Sequence, residues 1–152
     1  GFAVGRSKTS GCDVSSLLES PGLLTPVDVT VAEGTRVRIT TPDNVQPEEA
    51  IVDAGPRTIA LLRAHAMAAR TIIWNGPLGK HEAGHATYTE ALLELLFDAP
   101  GHIVVGGGDT VSALGVSRLQ RAADFVSTAG GAMLHFLECG TLPGLDALHA
   151  HR

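Results

Sequence analysis

From residue 71 onward, short unbroken apolar runs alternate with amphipathic stretches. Thr71-Ile72-Ile73-Trp74-Asn75 and His102-Ile103-Val104-Val105 read as buried strands, and Phe125-Val126 as a third, shorter one. Between them, Thr87-x-x-Glu90 carries a capping-box signature ahead of Ala91, Leu92, Leu95 and Leu96, with Pro100-Gly101 as the stop. Val111, Leu114 and Leu119 mark a second helix, and Met133, Leu134 and Leu137 a third that ends near Gly140. Strand and helix therefore alternate three times, which predicts a parallel sheet with helices on its faces.

The first half follows a different pattern. Val14, Leu17 and Leu18 allow one short helix among the breakers Gly5, Gly11 and Pro21-Gly22. Val27, Val29 and Val31 alternate with Asp28 and Thr30, and Glu33-Gly34 turns the chain into Val37 and Ile39, as in a strand followed by a hairpin partner. Residues 41–56, with Pro42, Pro47, Gly55 and Pro56, read as a loop, Pro56 standing ready for the first turn of a helix marked by Ile59, Leu62, Ala66 and Ala69.

Composition narrows the class. With 152 residues and 44% hydrophobic content, the chain is one domain, or a large part of one, with a real core. A net charge of −5 with 11 Lys and Arg argues against a nucleic-acid surface. No apolar run approaches membrane-spanning length, and two cysteines, Cys12 and Cys139, without a secretory leader suggest the cytoplasm. Opening at Gly1 rather than Met hints at an upstream portion.

The candidate chemistry lies in three glycine-bearing connections, at 76–79, 106–108 and 130–131, each following a strand. In a parallel sheet all three fall on the carboxyl edge, where ligands bind, and glycine lets main-chain N–H groups approach an anion at a helix N-terminus. The plainer reading of Gly106-Gly107-Gly108-Asp109 is a tight turn with Asp109 as N-cap. A second motif, His81-Glu82-Ala83-Gly84-His85, matches the H-E-x-x-H pattern of zinc hydrolases. That chemistry needs both histidines on one helix face, whereas Pro77, Gly79 and Gly84 interrupt helix and the capping signal starts later, at Thr87. Polar loop histidines are the alternative.

Trp74-Asn75-Gly76-Pro77-Leu78-Gly79 with Glu82, then Gly106 to Thr110, then Ser127-Thr128-Ala129-Gly130-Gly131-Ala132, and Leu142-Pro143-Gly144-Leu145-Asp146-Ala147-Leu148, in this order and spacing, resemble the phosphoglycerate kinase family. The likeness runs from about Gly5, weakly as far as Asp53-Ala54-Gly55-Pro56 and strongly beyond. It corresponds to the later part of that family's nucleotide-binding domain, and implies an incomplete three-layer, Rossmann-like α/β fold in which residues 57–148 form the core. The strand near 27–31 would then be an outer, third strand, with residues 1–56 poorly anchored and an exposed sheet edge prone to association.

The activity implied is reversible phosphoryl transfer between 1,3-bisphosphoglycerate and ADP, which asks for in-line positioning and donors aimed at the moving oxygens. By resemblance, ATP or ADP with Mg²⁺ would lie on Gly107, Gly108, Asp109 and Thr110, with Asp109 on the metal side. Asn75, Gly76 and Pro77, with Gly55, would line the nucleotide site. Glu82 would accept the ribose hydroxyls, and Gly108, Gly130 and Gly131 would face the transferring phosphoryl group.

Two departures stand out: Ala129 occupies the first place of the family's three glycines, and Lys80-His81 replace apolar residues before Glu82. The family's substrate-binding first domain and its phosphate-binding lysine have no counterpart, so 3-phosphoglycerate would be reached only through that domain. The 152-residue chain alone would then be inactive, and the complete protein a monomer. A zinc hydrolase and a non-catalytic nucleotide-binding module are the competing readings.

Overall fold

The computed structural model describes residues 4–9, 11 and 13–150; Gly1 and Cys12 lie outside them. The chain divides into two units, residues 1–64 with 78–92, and residues 65–77 with 93–152.

The first unit is built on a three-stranded antiparallel sheet. β1 (Val29–Glu33) pairs with β2 (Arg36–Thr40) as a hairpin and on its other side with β3 (Ala50–Ala54), giving the order β2-β1-β3. The hairpin is the one expected from Glu33-Gly34, with Gly34 at φ +58° in the turn. β3 corrects the expectation of a loop over residues 41–56. Ala50-Ile51-Val52-Asp53-Ala54 is a short apolar run closed off by Pro47 and by Gly55-Pro56, and it lacks the alternation of a one-sided strand because its later half is buried on both faces.

β1 is also not an outer strand of the parallel sheet. Both of its edges are taken by β2 and β3, since a hairpin and an adjacent strand satisfy its backbone locally. Val29, Val31 and Val45, with Ile51 against them, form the core of this sheet. Arg38 grips Glu49 with two bonds, Nε to Oε1 at 2.6 Å and a terminal nitrogen to Oε2 at 2.7 Å, tying β2 to the approach to β3.

Two carboxylates of this unit cap helices from a distance. Asp28 accepts the N–H groups of Arg57 and Thr58 at the start of α2 (Pro56–Ala68), at 3.0 and 2.7 Å. Asp53 accepts the N–H of Tyr88 in the first turn of α3 (Thr87–Leu96), at 3.1 Å. Thr87 is thus the first helical residue, not the cap, and the Tyr88 N–H, one of the donors a helix start leaves over, is met by a tertiary partner. α1 (Ser15–Leu18) is the short early helix, and the Asp13 carboxylate accepts its first N–H, that of Ser15, at 2.9 Å.

The second unit holds the expected parallel sheet, β4 (Thr71–Asn75), β5 (His102–Gly106) and β6 (Phe125–Ser127), in that order, with β4 at one edge. Its helices are α4 (Gly108–Leu114), α5 (Val116–Ala122), α6 (Gly130–Cys139) and α7 (Pro143–Ala150). The single helix expected over Val111 to Leu119 is two, because Gly115 takes φ +80° and breaks the hydrogen-bond ladder. α7 goes beyond the three helices expected in this half, and Pro143 stands at its first position. Leu93, Leu95, Leu96, Ile103, Val105, Leu114 and Leu119 are buried here, with Trp74. No described helix is long and apolar enough to cross a membrane.

Candidate functional site

In the second unit the strand ends converge at backbone level. β4, β5 and β6 end at Asn75, Gly106 and Ser127, so Gly76, Gly107 and Gly130 all stand at carboxyl ends. Gly107, at φ +101°, donates its N–H to Ser127 O at 3.1 Å. A side chain on Gly130 would meet the Gly107 N at 2.7 Å, and one on Gly107 would meet Asn75 Oδ1 at 2.6 Å. Thr110, fully buried, closes the group: its hydroxyl accepts the Gly76 N–H at 2.9 Å and donates to Gly106 O at 3.0 Å. That spends its single proton, so the Thr110 hydroxyl fixes the loop and has no hydrogen left for a ligand in this arrangement.

What faces outward is main chain. The first internal bond of α4 runs from Val111 to Gly107 O, leaving the N–H groups of Gly108, Asp109 and Thr110 without a helical partner. The same holds in α6, where Met133 is the first donor and Gly130, Gly131 and Ala132 precede it. Gly107 rather than Asp109 occupies the cap position of α4. Asp109 is exposed in its first turn, and beside Gly108 and Gly131 a side chain would meet open space. Ala129 caps α6 at φ −105°, a conformation open to alanine, and its N–H reaches Ser127 Oγ at 3.2 Å. Pro77 follows Gly76, whose carbonyl accepts the Trp74 indole Nε1–H at 2.7 Å.

Glu82 and Gly55 belong to the first unit. Glu82 is exposed in a single 3₁₀ turn, His81–Ala83, with its carboxylate 3.3 Å from His81 Nδ1. That approach lacks hydrogen-bond geometry, and the nitrogen is buried without a partner. Gly55 is buried with its Cα against the Asp28 carboxylate, where any side chain would collide, which gives this glycine a packing duty.

The H-E-x-x-H reading does not survive. Gly84, at φ +84°, ends the turn after three residues, so His81 and His85 never share a helix face, and among the described residues no third ligand gathers with them.

Sequence reasoning missed Thr89. It is fully buried, and its hydroxyl oxygen accepts the N–H groups of both Leu78 and Gly79, at 3.0 and 3.2 Å. A threonine inside an otherwise apolar helix face was the available signal.

A parallel α/β sheet with glycine connections gathered at its carboxyl edge defines the class of fold in which anionic ligands are seated on main-chain N–H groups. Within that class the chain belongs to the phosphoglycerate kinase family, whose family model, described as phosphoglycerate kinase, matches residues 8–140. It is 45% identical over 135 residues to a phosphoglycerate kinase of Caulobacter sp. strain K31, and 40% identical over 131 residues to one of Rubrobacter xylanophilus. Each alignment covers 83% of this chain but only 34% and 33% of the relative, so the chain spans about a third of the length of those relatives. Among solved structures, phosphoglycerate kinase from Coxiella burnetii superposes with a TM-score of 0.81 at 34% identity, over 96% of this chain and 41% of that one. The enzyme from Pyrococcus horikoshii OT3 gives 0.68 at 31% identity, over 82% and 32%.

Proposed function

We propose that this chain carries the nucleotide-phosphate part of a phosphoglycerate kinase, a phosphotransferase moving a phosphoryl group between 1,3-bisphosphoglycerate and ADP in glycolysis, in the cytoplasm. The supporting observation is the meeting of Asn75, Gly76, Gly107, Thr110 and Gly130 at the strand ends, beside two helix starts with unpaired N–H groups. Those groups suit phosphate oxygens, and the hard, exposed Asp109 carboxylate suits Mg²⁺, which would neutralise phosphate charge when bound. In this reading Gly107, Gly108 and the Thr110 main chain hold the phosphates, while Asn75, Gly76 and Pro77 shape the adjoining wall. Gly130 and Gly131 present N–H groups to the transferring oxygens, and Gly108 is open enough for close approach. Glu82, with an exposed carboxylate, keeps the ribose-side role of the family, and Gly55 the adenine side. The substrate acid would be bound by a domain outside the aligned third.

Calorimetric titration of the 152-residue chain with MgADP tests the reading. Saturable 1:1 binding, weakened at least about tenfold by Asp109→Asn or by withholding Mg²⁺, is expected. Binding indifferent to both changes, or none, would overturn it. Turnover is expected only when a relative's substrate-binding domain is added; MgADP binding without turnover in that mixture would leave a non-catalytic nucleotide-binding module. We further propose that, of the segment 1–56, the described residues are the less firmly held part, since Val37 and Ile39 on β2 stay half exposed; limited proteolysis is expected to cut there first, and first cuts within 57–148 would reverse that order.

A further inference from the structure

A group of three metal-ligating donors, a soft thiol, a borderline imidazole and a hard carboxylate, lies on α6 at the opposite end from its glycines. His135, Glu138 and Cys139 fall at i, i+3 and i+4, one face of the helix, and all three are exposed. Their nearest ligand atoms lie within 4.8 Å of one another, and His135 Nδ1 is 3.8 Å from Cys139 Sγ. A tetrahedral ion with bonds of about 2.0–2.3 Å asks only for small rotamer changes to bring such donors together.

The helix end adds two features of its own. Gly140, in the left-handed conformation at φ +73°, donates its N–H to Phe136 O at 2.8 Å, so the last turn stays helical and Cys139 keeps its register with His135. The carbonyls of that turn carry the negative end of the helix dipole, and no basic residue there offsets it.

We propose that His135, Glu138 and Cys139 form a three-ligand site for a divalent transition metal of the zinc type, with water in the fourth position. Thiolate and imidazole select such ions over Mg²⁺ or Ca²⁺, which prefer all-oxygen shells, so this site differs in kind from a magnesium site at Asp109. Binding removes the thiol proton of Cys139 as the sulfur–metal bond forms, and the proton goes to solvent. The proposal does not depend on the kinase reading.

The test is titration of the full 152-residue chain with Co²⁺ under reducing conditions, following the thiolate-to-cobalt charge-transfer band and the d–d bands of tetrahedral cobalt, then displacement by Zn²⁺. One equivalent is expected to saturate the band. Cys139→Ser should abolish it, His135→Ala should weaken binding by about tenfold or more, and Glu138→Gln should weaken it less. Cys12→Ser and His85→Ala should leave the titration unchanged, and excess Mg²⁺ should not displace the cobalt. Three results would each overturn the proposal: no saturable band, a band that survives Cys139→Ser or vanishes with Cys12→Ser, or displacement by Mg²⁺. His135, Glu138 and Cys139 are exposed, and circular dichroism checks that each variant remains folded.

Discussion

Gly130 is packed against Gly107 so closely that a methyl group on it would lie 2.6 Å from the Gly107 Cα and 2.7 Å from Asn75 Oδ1. Backbone cannot yield there as a flexible side chain can. Gly130→Ala is therefore expected to destabilise the second unit by about 1–3 kcal/mol, the usual cost of forcing atoms into filled space. A lower urea midpoint, read from Trp74, the chain's single tryptophan, is the check. Gly131→Ala, facing open space, should leave that midpoint nearly unchanged while weakening MgADP binding if the proposed rim is correct.

Thr110→Val keeps the shape of a buried side chain and deletes the hydroxyl that joins Gly76 to Gly106. A loss of about 1–3 kcal/mol is expected, because the Gly76 N–H loses its acceptor. Thr110→Ser should restore most of it. A loss in Thr110→Ser with none in Thr110→Val would show that the methyl group, not the hydroxyl, holds the loop.

The Asp28 carboxyl is pulled two ways. Burial alone would raise it, yet the N–H groups of Arg57 and Thr58, the Thr58 hydroxyl and the Arg57 charge together hold it below the ordinary carboxylate value. Its ionised form is favoured in the fold, so its contribution is present above that ordinary value and is lost as pH falls through the lower folded one. Asp28→Ala should cost about 1 kcal/mol at neutral pH, the worth of a helix cap, in a urea titration followed by circular dichroism. The gap to the unsubstituted chain should narrow in acid; a gap that widens there would contradict the assignment.

Asp53 titrates in the opposite sense. Burial raises its carboxyl, and the N–H groups of Tyr88 and Ala54 with the nearby His85 only partly offset that. Its contribution is full below the ordinary carboxylate value and declines as pH rises through the higher folded one. Asp53→Asn is expected to raise the urea midpoint at neutral pH, with the gain shrinking on acidification. A loss at neutral pH that persists in acid would mean that the caps depend on the carboxylate's geometry more than on its charge.

The parallel half of the fold was legible because its signals are local. Ile72-Ile73-Trp74 and Ile103-Val104-Val105 are short apolar runs, and the glycines after them can only be turns. The antiparallel half was half legible. The Gly34 hairpin is local chemistry, but β3 hides among prolines, and its place beside β1 depends on partners 18 to 25 residues away. The caps supplied by Asp28 and Asp53 were invisible for the same reason. Asp28 sits between two valines of an alternating run and reads as a solvent-side residue until α2 is placed over it. At the candidate site the glycines and Asn75 could be named from the four linked motifs, whereas the engagement of the Thr110 hydroxyl is a matter of geometry that no spacing encodes.

Gly115 leaves α4 only seven residues long, too short to persist by its own hydrogen bonds, so the burial of Thr110 and Leu114 must hold it in place. An anion seated on the free end of α4 would add to that hold, so heating is expected to release the ligand and loosen the helix in a single step.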